Sequence, residues 1–332
     1  MSGGATSTRR PGTLRLGTRR SALATTQSTM VAEALREAGQ DVELVTIVTE
    51  GDVSRAPLAT LGGTGVFAAA LREAVVRGDV DLAVHSLKDL PTAVHPDLVV
   101  AAIPRREDPR DAVVARDGAT LADLGPGARV GTGSPRRVAQ LNALGWGLVP
   151  QDIRGNVDTR LRLVEDGSLD AVVLAHAGLR RLGLGGRVTE VLDPIQMLPA
   201  PGQGALAVEC LGDRADVRAL LADLDDADTR ACVEAERALL ALLEAGCSAP
   251  VGALGEIVEG ESDDGGTHLE LSLRAFVGSV DGSDELRRSL VGDPAEPDAL
   301  AHRLATLLME DGAAELMSTP ELSQPESLEN VP

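Results

Sequence analysis

Lysine is almost absent from this chain. Of its 31 lysine and arginine residues only Lys88 is a lysine, and Asp89 follows it directly. A genome that drifts toward arginine codons replaces lysine wherever arginine will serve, so a surviving lysine indicates a need for a compact ammonium. The pair follows an apolar, strand-like run at 81–85, and ligands of α/β sheets bind beyond the carboxyl ends of strands. Lys88 and Asp89 are therefore candidate functional residues; the alternative, a surface ion pair of little energetic value, stays open.

Aromatic residues are nearly missing as well. There is no tyrosine, and only Phe67, Trp146 and Phe276 remain. The core must therefore be aliphatic, and a surface that stacks nucleic-acid bases is not expected. A net charge of −20 likewise argues against nucleic acid or an anionic membrane as partner.

Long apolar runs and secretory features are absent too. No stretch approaches the ~18 consecutive apolar residues of a membrane span, and residues 1–12 lack the apolar core of a signal peptide. Cys210, Cys232 and Cys247 make an odd number without metal-ligand spacing. We expect a cytoplasmic monomer with reduced thiols and no metal. Residues 1–12 should form a flexible tail and residues 317–332 a disordered one.

Positive charge is concentrated in one part of this acidic chain. Residues 104–187 contain 13 arginines against 10 aspartates and glutamates. Such a basic region indicates an anionic ligand held by arginine side chains. The alternative for any single arginine is a solvated helix face.

Strand-like and helix-like segments alternate along most of the chain. Strands are predicted at 13–17, 42–49, 81–85, 98–103, 112–115, 129–131, 148–153 and 171–175, and helices at 22–38, 66–77, 135–144 and 157–165. This alternation predicts an α/β fold with largely parallel sheets.

The two halves of this region resemble each other. Leu16-Gly-Thr18 matches Val130-Gly-Thr132, and residues 78–84 match residues 167–173 at an offset of 89. At that offset Asp89 falls on Gly178, so the Lys-Asp pair has no counterpart in the second half. Two similar lobes enclose a cleft in which a ligand can bind.

The repeat also divides the chain. We expect a first lobe from residues 13–103 and 200–222, and a second from residues 104–199. Residues 104–109 and 198–204 should be two crossing strands of a hinge, after which 205–209 returns to the first lobe. Residues 225–316 should form a small α+β domain with helices at 229–243 and 297–309 and antiparallel strands at 251–259 and 268–277.

Several polar residues lie where a strand runs into a helix. Backbone N–H groups and the helix dipole favour an anion there, and arginine adds a bidentate contact. These residues are Arg19, Ser21, Thr132, Ser134, Arg136 and Arg137. A third junction carries Arg154, Asn156 and Arg160, although Asn156 or Asp158 could be a plain N-cap. Together the junctions favour a ligand with several carboxylates or phosphates.

Other candidates carry less information. The Gly62–Gly65 loop lacks the spacing of a phosphate loop and fits a mobile lid better. His85 and His176 have no partner at metal-ligand spacing and are expected to be structural. Cys210 and Cys232 have apolar neighbours and fit the core. Cys247 lies between Gly246 and Ser248, where a tethering or nucleophilic role and an inert thiol both remain open.

Taken together, these residues resemble the porphobilinogen deaminase (hydroxymethylbilane synthase) family from about residue 14 to 316. The matching motifs are Thr18-Arg-Arg-Ser21, Val84-His-Ser-Leu-Lys-Asp89, Arg106-Glu-Asp-Pro-Arg-Asp111, Arg154-Gly-Asn156, Leu198-Pro-Ala-Pro-Gly-Gln-Gly204 and Gly246-Cys247. The resemblance implies two lobes like those of periplasmic binding proteins and a third domain. It also implies that Cys247 carries a dipyrromethane cofactor through a thioether. Four porphobilinogen molecules would be added with loss of ammonia, and 1-hydroxymethylbilane released by hydrolysis.

The resemblance also assigns residues to the cofactor and the substrate. For the cofactor they are Cys247, Lys88, Ser21, Thr132, Ser134, Arg136, Arg137, Arg154, Asn156 and Arg160; for porphobilinogen they are Arg19, Arg154, Arg160, Arg181, Gln203 and Ala175. The chain departs from the family at Thr60, Thr64 and Pro135, where lysines and an apolar residue are common. A role of the glycine loop in carboxylate binding is therefore not carried over.

Asp89 fits the implied chemistry on its own merits. Loss of ammonia leaves a cation beside a pyrrole N–H, and one carboxylate can assist departure, stabilise that cation and accept the N–H hydrogen bond. The rival function is a non-catalytic two-lobed binding protein for a small anionic metabolite. Such a protein would share the lobes and arginines but would not need Cys247 or the third domain.

Overall fold

The computed structural model describes residues 12–47, 65–245, 249–261 and 265–317. Within them the chain forms three sheets with helices packed against each. The expected α/β class with two parallel-rich lobes and a small third domain is confirmed. Cys247 and the loop containing Thr60 and Thr64 lie outside the described residues.

The first lobe is built on a sheet of order β2-β1-β3-β10-β4. Its strands are β1 Thr13–Thr18, β2 Asp41–Thr46, β3 Leu82–Ser86, β4 Leu98–Ala102 and β10 Leu206–Leu211; its helices are α1 Ala22–Glu37, α2 Gly65–Val76 and α6 Ala215–Leu221. β1 runs parallel to β2 and β3, whereas β10 is antiparallel to both β3 and β4. The chain therefore enters this sheet again through β10, and the sheet is mixed.

The second lobe repeats this plan with the order β7-β6-β8-β5-β9. Its strands are β5 Asp111–Ala115, β6 Arg129–Gly131, β7 Val149–Gln151, β8 Ala171–Ala175 and β9 Glu190–Val191; its helices are α3 Pro135–Ala143, α4 Val157–Glu165 and α5 His176–Arg181. Here β5 is the antiparallel strand, between β8 and β9. β8 begins 89 residues after β3 and ends 89 residues after it, so the predicted offset is confirmed.

Aliphatic side chains fill both lobes because the sequence alternates apolar strands with helices that are apolar on one face. In the first lobe Leu16, Leu35 and Leu82 are fully buried in one cluster. In the second, Val130 and Met197 are equally buried. The core is thus aliphatic, as the shortage of aromatic residues predicts.

The third domain packs helices on one face of an antiparallel sheet. It comprises α7 Ala227–Leu242, β11 Val251–Glu261, β12 Thr267–Gly278, β13 Glu285–Gly292, α8 Pro297–Glu310 and α9 Ala313–Met317. β13 and α9 were not predicted. Phe276 is fully buried on the other face of the sheet, in a cluster with Ala139 and Leu198 that joins this domain to the second lobe.

The two crossing segments of the hinge contain no regular strand, which corrects the prediction of two crossing strands. They approach each other through one backbone hydrogen bond, from Glu107 N to Gly204 O at 3.3 Å. Gly204 has a φ of +87°, and a Cβ there would collide with the carbonyl oxygen of Glu107. Only glycine fits this crossing without strain.

No helix among the described residues is long and apolar enough to cross a membrane. Cys210 and Cys232 are buried with free thiols, as predicted. In the same described ranges, no three His, Cys, Asp or Glu side chains form a group that could hold a metal ion.

Candidate functional site

The centre of the site is a buried ion cluster at the start of β5. Asp111 is completely buried, and its carboxylate accepts hydrogen bonds from Arg136 Nη2 at 2.8 Å, Arg137 Nη2 at 2.6 Å and Gln203 Nε2 at 2.8 Å. Burial raises the pKa of Asp111, but the charges of Arg136 and Arg137 hold it well below its usual range. Two guanidinium groups therefore face one carboxylate, which leaves the cluster with excess positive charge.

Both arginines are positioned by the sequence of α3. The helix begins after Ser134 with a proline at its first position, so Arg136 and Arg137 lie in its first turn, pointing back toward the cluster. Their remaining contacts are backbone carbonyls: Arg136 Nη1 donates to Leu198 O at 2.5 Å and Arg137 Nη1 to Val173 O at 3.0 Å.

The buried Nε atoms of Arg136, Arg137 and Arg181 have no hydrogen-bond partner among the described residues. A buried polar group without a partner is costly. A ligand carboxylate that reached these N–H groups would accept from them and remove this cost.

Lys88 lies on a single 3-10 turn, Leu87–Asp89, that directly follows β3. Its Nζ donates to Gln203 Oε1 at 3.4 Å, so Gln203 links Lys88 of the first lobe to Asp111 of the second. Burial lowers the pKa of Lys88 to about 8; the charge of Asp89 opposes this shift and that of Arg137 adds to it. Near neutral pH a fraction of this amine is uncharged, unlike that of an ordinary surface lysine.

Arg160 brings the second lobe's positive charge to Asp89. Burial, with the charges of Arg137 and Arg154, lowers the pKa of Arg160 to about 10, although Asp152 and Asp89 act in the opposite direction. Its Nε donates to Gly155 O at 3.0 Å. Asp89 thus lies within electrostatic reach of cations from both lobes, Lys88 and Arg160.

The other predicted residues occupy more ordinary positions. Ser21 caps α1 by accepting from Ala24 N at 3.3 Å, and Asn156 caps α4 by accepting from Thr159 N at 2.9 Å, as the capping alternative anticipated. Thr132 is buried, and its hydroxyl accepts from Ser134 N at 3.3 Å.

The remaining candidates lie at or beyond the ends of strands, or beside the hinge. Arg154 is exposed and pairs with Asp152 at 3.3 Å, and Arg19 is partly buried directly after β1. Ala175 ends β8, and Arg181 Nη2 donates to Gly204 O in the hinge at 2.6 Å. The structure therefore joins Lys88, Arg136, Arg137 and Gln203 through Asp111.

Sequence reasoning missed two buried carboxylates of this network. Asp111 ends the matched motif Arg106-Glu-Asp-Pro-Arg-Asp111 and starts an otherwise apolar strand, but the sequence assigned it no role. Glu236 is fully buried on α7 and accepts from Arg106 Nη1 at 2.6 Å, Gly202 N at 2.6 Å and Gly255 N at 2.8 Å. Arg106 Nε in turn donates to the backbone oxygen of Gln203 at 2.7 Å. Glu236 therefore connects the third domain to both crossing segments.

This arrangement suits a ligand with several carboxylates that reacts through a cation. Fixed guanidinium groups and one ammonium can bind the carboxylates, and the Asp89 carboxylate can stabilise positive charge that develops between the lobes.

Comparisons with known proteins agree with this chemistry. Residues 14–219 match a family model described as porphobilinogen deaminase, dipyromethane cofactor binding domain, and residues 230–310 match the porphobilinogen deaminase C-terminal domain. A porphobilinogen deaminase of Mycolicibacterium paratuberculosis is 60% identical over 305 residues, covering 92% of this chain and 96% of the relative. One of Mycobacterium tuberculosis is 60% identical over 304 residues, covering 92% and 98%.

Among solved structures, the chain has a weak similarity to two binding proteins. The methionine-binding protein MetQ is 14% identical, with a TM-score of 0.42 over 65% of this chain and 90% of MetQ. A nutrient-binding protein from Burkholderia cenocepacia bound to methionine is 14% identical, with a TM-score of 0.40 over 62% and 89%.

Proposed function

The chain belongs to the porphobilinogen deaminase family, and from this membership and the geometry of the cleft we propose how its own residues carry the reaction. Membership confirms the function expected from the sequence, a transferase of tetrapyrrole synthesis acting on porphobilinogen. This substrate carries an acetate, a propionate and an aminomethyl group on one pyrrole ring. A site for it needs cationic groups for two carboxylates and a group that assists the departure of ammonia.

In finer detail, four porphobilinogen molecules are joined in turn onto a dipyrromethane cofactor attached to Cys247 by a thioether. Water then releases 1-hydroxymethylbilane. The name of the matching cofactor domain supports the cofactor. The attachment to Cys247 rests on the resemblance in sequence, because Cys247 lies outside the described residues. The protein acts as a cytoplasmic monomer, which the net charge of −20 supports by opposing association.

The single observation that carries the proposal is the excess of buried positive charge around Asp111. Arg136 and Arg137 share this one carboxylate and each keeps a buried Nε–H without a partner among the described residues. Such donors fit the acetate and propionate groups of dipyrromethane. When bound, the cofactor supplies the free pyrrole carbon at which the product chain grows.

The residues that would hold the cofactor come from both lobes. Lys88, Arg136, Arg137, Arg154 and Arg160 supply positive charge. The polar residues Ser21, Thr132, Ser134 and Asn156 lie beside them at the starts of α1, α3 and α4. Ser21 already accepts a capping hydrogen bond, and its hydroxyl proton remains available to a carboxylate.

The incoming porphobilinogen is bound by Arg19 and Arg181, with Arg154 and Arg160 shared between substrate and cofactor. Gln203 and Ala175 lie close to the substrate ring. The contact from Arg181 to the hinge carbonyl of Gly204 supports this assignment, because it places Arg181 beside Gln203.

Asp89 carries the chemical step. The aminomethyl group of porphobilinogen is protonated near neutral pH; its C–N bond breaks, neutral ammonia leaves with the bonding electrons and all three N–H protons, and the positive charge passes to the pyrrole ring. The Asp89 carboxylate stabilises this cation and accepts the hydrogen bond of the pyrrole N–H. A carbon–carbon bond then forms, and Asp89 accepts the proton that the attacking carbon loses.

The rival function, a non-catalytic binding protein for a small anionic metabolite, is not favoured by the family matches, which extend into the C-terminal domain. A binding protein would also leave the charge relation between Asp89, Lys88 and Arg160 without a role.

Intact mass spectrometry tests the proposal. The purified protein should exceed its sequence mass by two linked pyrrole units and give a coloured product with an acidic aldehyde reagent. Cys247→Ala should remove both signals together with activity. Cys210→Ser and Cys232→Ser are matched controls that should keep the adduct, with stability losses of about 0.5–3 kcal/mol typical of core substitutions. An active wild-type protein of unmodified mass would contradict the thioether.

A further inference from the structure

One charged side chain of the third domain contacts the turn that carries Lys88 and Asp89. Arg237, on α7, donates from Nη1 to Leu87 O at 3.2 Å and to Leu90 O at 3.0 Å, and from Nη2 to Pro91 O at 2.7 Å. These carbonyls bracket Lys88 and Asp89 in the sequence. A planar guanidinium with five donors can hold several acceptors at once, which an ammonium cannot do in a fixed plane.

Apolar packing from the same helix supports this contact. Leu87 begins the turn and Leu90 directly follows it. Each is 1% exposed, and both belong to one buried cluster with Val233 of α7. Lys88 and Asp89 lie between these anchors and are only partly buried. The turn is thus fixed at both ends by α7, and its two polar side chains remain available to the cleft.

Glu236, the neighbour of Arg237, supports the opposite side of the turn. Its carboxylate accepts from Gly202 N at 2.6 Å, and Gly202 packs so closely that a Cβ there would lie 3.3 Å from Lys88 N and 3.2 Å from Leu87 Cγ. Two adjacent residues of opposite charge on α7 therefore contact the turn directly and through the hinge.

The second lobe shows why the turn needs such support. At the offset of 89 residues, the equivalent segment after β8 is the helix α5, which satisfies carbonyl groups within itself. In the first lobe the segment is a single 3-10 turn, after which Leu90 N donates to Leu87 O at 3.1 Å. A short turn of this kind has little stability of its own.

We propose that Arg237 is a positioning residue of the reaction: it sets the backbone of the 87–91 turn and through it the placement of the Asp89 carboxylate between the lobes. The inference rests on the proposed function for its effect on catalysis. Its structural part, that Arg237 orders the turn, stands independently of the substrate.

The test combines kinetics with a measurement that does not depend on activity. Arg237→Gln should lower kcat on the order of 10- to 100-fold, as expected for a misplaced catalytic group, with a smaller change in KM and with the cofactor retained by mass. In an Asp89→Asn background the same substitution should change kcat by less than about twofold, because residues that act through one another are not additive. Arg237→Lys should fall between wild type and Arg237→Gln and serves if the glutamine variant does not fold.

Amide hydrogen exchange supplies the independent measurement. Exchange of residues 87–91 should accelerate in Arg237→Gln and remain unchanged in the control Arg230→Gln. Arg230 lies on the same helix but pairs with Asp225 at 2.7 Å and Glu234 at 3.1 Å. If the proposed function is wrong, wild type will not consume porphobilinogen, yet the exchange result still reports on the turn.

Three results would overturn the inference. Unchanged exchange of residues 87–91 would show that Arg237 does not order the turn. If Arg237→Gln lowers kcat by the same factor in the wild-type and Asp89→Asn backgrounds, its effect is structural and independent of the Asp89 carboxylate. A loss confined to KM would assign Arg237 to substrate binding.

Discussion

The two lobes are built on one frame. In each sheet the strand order is the same, and the fourth strand is antiparallel and enters from a crossing segment of the hinge. In each, an aspartate just before a central strand accepts from the backbone of an arginine: Arg15 N donates to Asp81 at 2.9 Å, and Arg129 N to Asp170 at 2.7 Å. The repeat in the sequence therefore corresponds to a repeat in hydrogen bonding.

The lobes differ where the frame meets the cleft. The first turn of α1 begins with Ala22 and Leu23, whereas the first turn of α3 carries Arg136 and Arg137. In the second lobe, Asp111 of β5 pairs with Ala175 of β8. At the equivalent position of the first lobe, Leu206 of β10 pairs with Ser86 of β3, so a leucine takes the place of the aspartate. Conversely, the first lobe has Asp89 where the second has Gly178. The second lobe thus provides fixed positive charge and the first provides the carboxylate.

Each antiparallel strand also carries one buried carboxylate, with different surroundings. Asp111 lies at the start of β5, next to the hinge, and shares its arginines with the cleft. Glu209 lies deeper in β10, where it binds Arg72 at 2.8 Å and lies 3.2 Å from His85 Nε2. Equivalent strands of the two lobes therefore carry a buried ion cluster beside the hinge in one lobe and within the sheet in the other.

The largest effect is expected from removing the charge of Asp89, which has no counterpart in the second lobe. Asp89→Asn keeps the size of the side chain and should lower turnover by about 10²–10⁴, the usual contribution of general acid–base catalysis. The cofactor should remain by intact mass. Asp97→Asn, which changes an exposed aspartate in the following loop, is the matched control and should leave turnover unchanged. Near-normal turnover in a loaded Asp89→Asn protein would reject the role of Asp89.

The next largest effect is expected from the ion cluster that only the second lobe has. Asp111→Asn leaves two buried guanidinium groups without a counter-charge and should lower the free energy of unfolding by about 3–5 kcal/mol. Asp170→Asn, in the same lobe but on a partly exposed pair, should cost about 1 kcal/mol or less. Urea unfolding measures both variants. Equal losses would show that burial does not distinguish these carboxylates.

The smallest effect concerns the acid stability of the first lobe. Burial raises the pKa of Glu209, but the close contact with His85 and the hydrogen bonds from Arg72 outweigh it and lower the pKa to about 2 from an ordinary value of 4.5. Its ionised form therefore stabilises the fold above about pH 4.5, and this contribution is lost as the pH falls toward 2.

Urea unfolding of wild type and Glu209→Gln at several pH values measures this contribution. The advantage of wild type should shrink by roughly 2 kcal/mol between pH 6 and pH 3. Glu73→Gln, at an exposed position, should follow the wild-type pH profile. A constant difference between wild type and Glu209→Gln would mean that the pKa of Glu209 is not lowered by folding.

Much of this frame could be predicted because strands and amphipathic helices leave local patterns. The strand at 171–175 and the helix at 157–165 were predicted with their observed ends. β13 was missed because charged residues such as Arg287 and Arg288 interrupt its apolar alternation. The six-residue α5 was missed because it is too short to show a helical period. The hinge was mistaken for strands because extended, proline-rich segments also occur outside sheets.

The sequence predicted which residues form the site, but not the hydrogen bonds that connect them. Family motifs and the charge pattern identified Lys88, Arg136 and Arg137, whereas their connection through Asp111 joins parts of the chain that only the fold brings together. Glu236 illustrates the same limit: a glutamate on an amphipathic helix resembles a surface residue until the hinge packs over it. The placement of Cys247 remains a prediction.

The inserted antiparallel strands also set an order in which the molecule can be completed as it is synthesised. β10 lies between β3 and β4, so the first lobe has no continuous sheet until residues 206–211 have emerged. The second lobe's strands all lie between residues 111 and 191, so its sheet can close first. Until β10 has been synthesised, β3 presents an unpaired edge, and such an edge favours wrong strand pairing in nascent chains. The lobe that begins the chain is thus the later of the two to be finished, and the cleft between them exists only once the second crossing has been made.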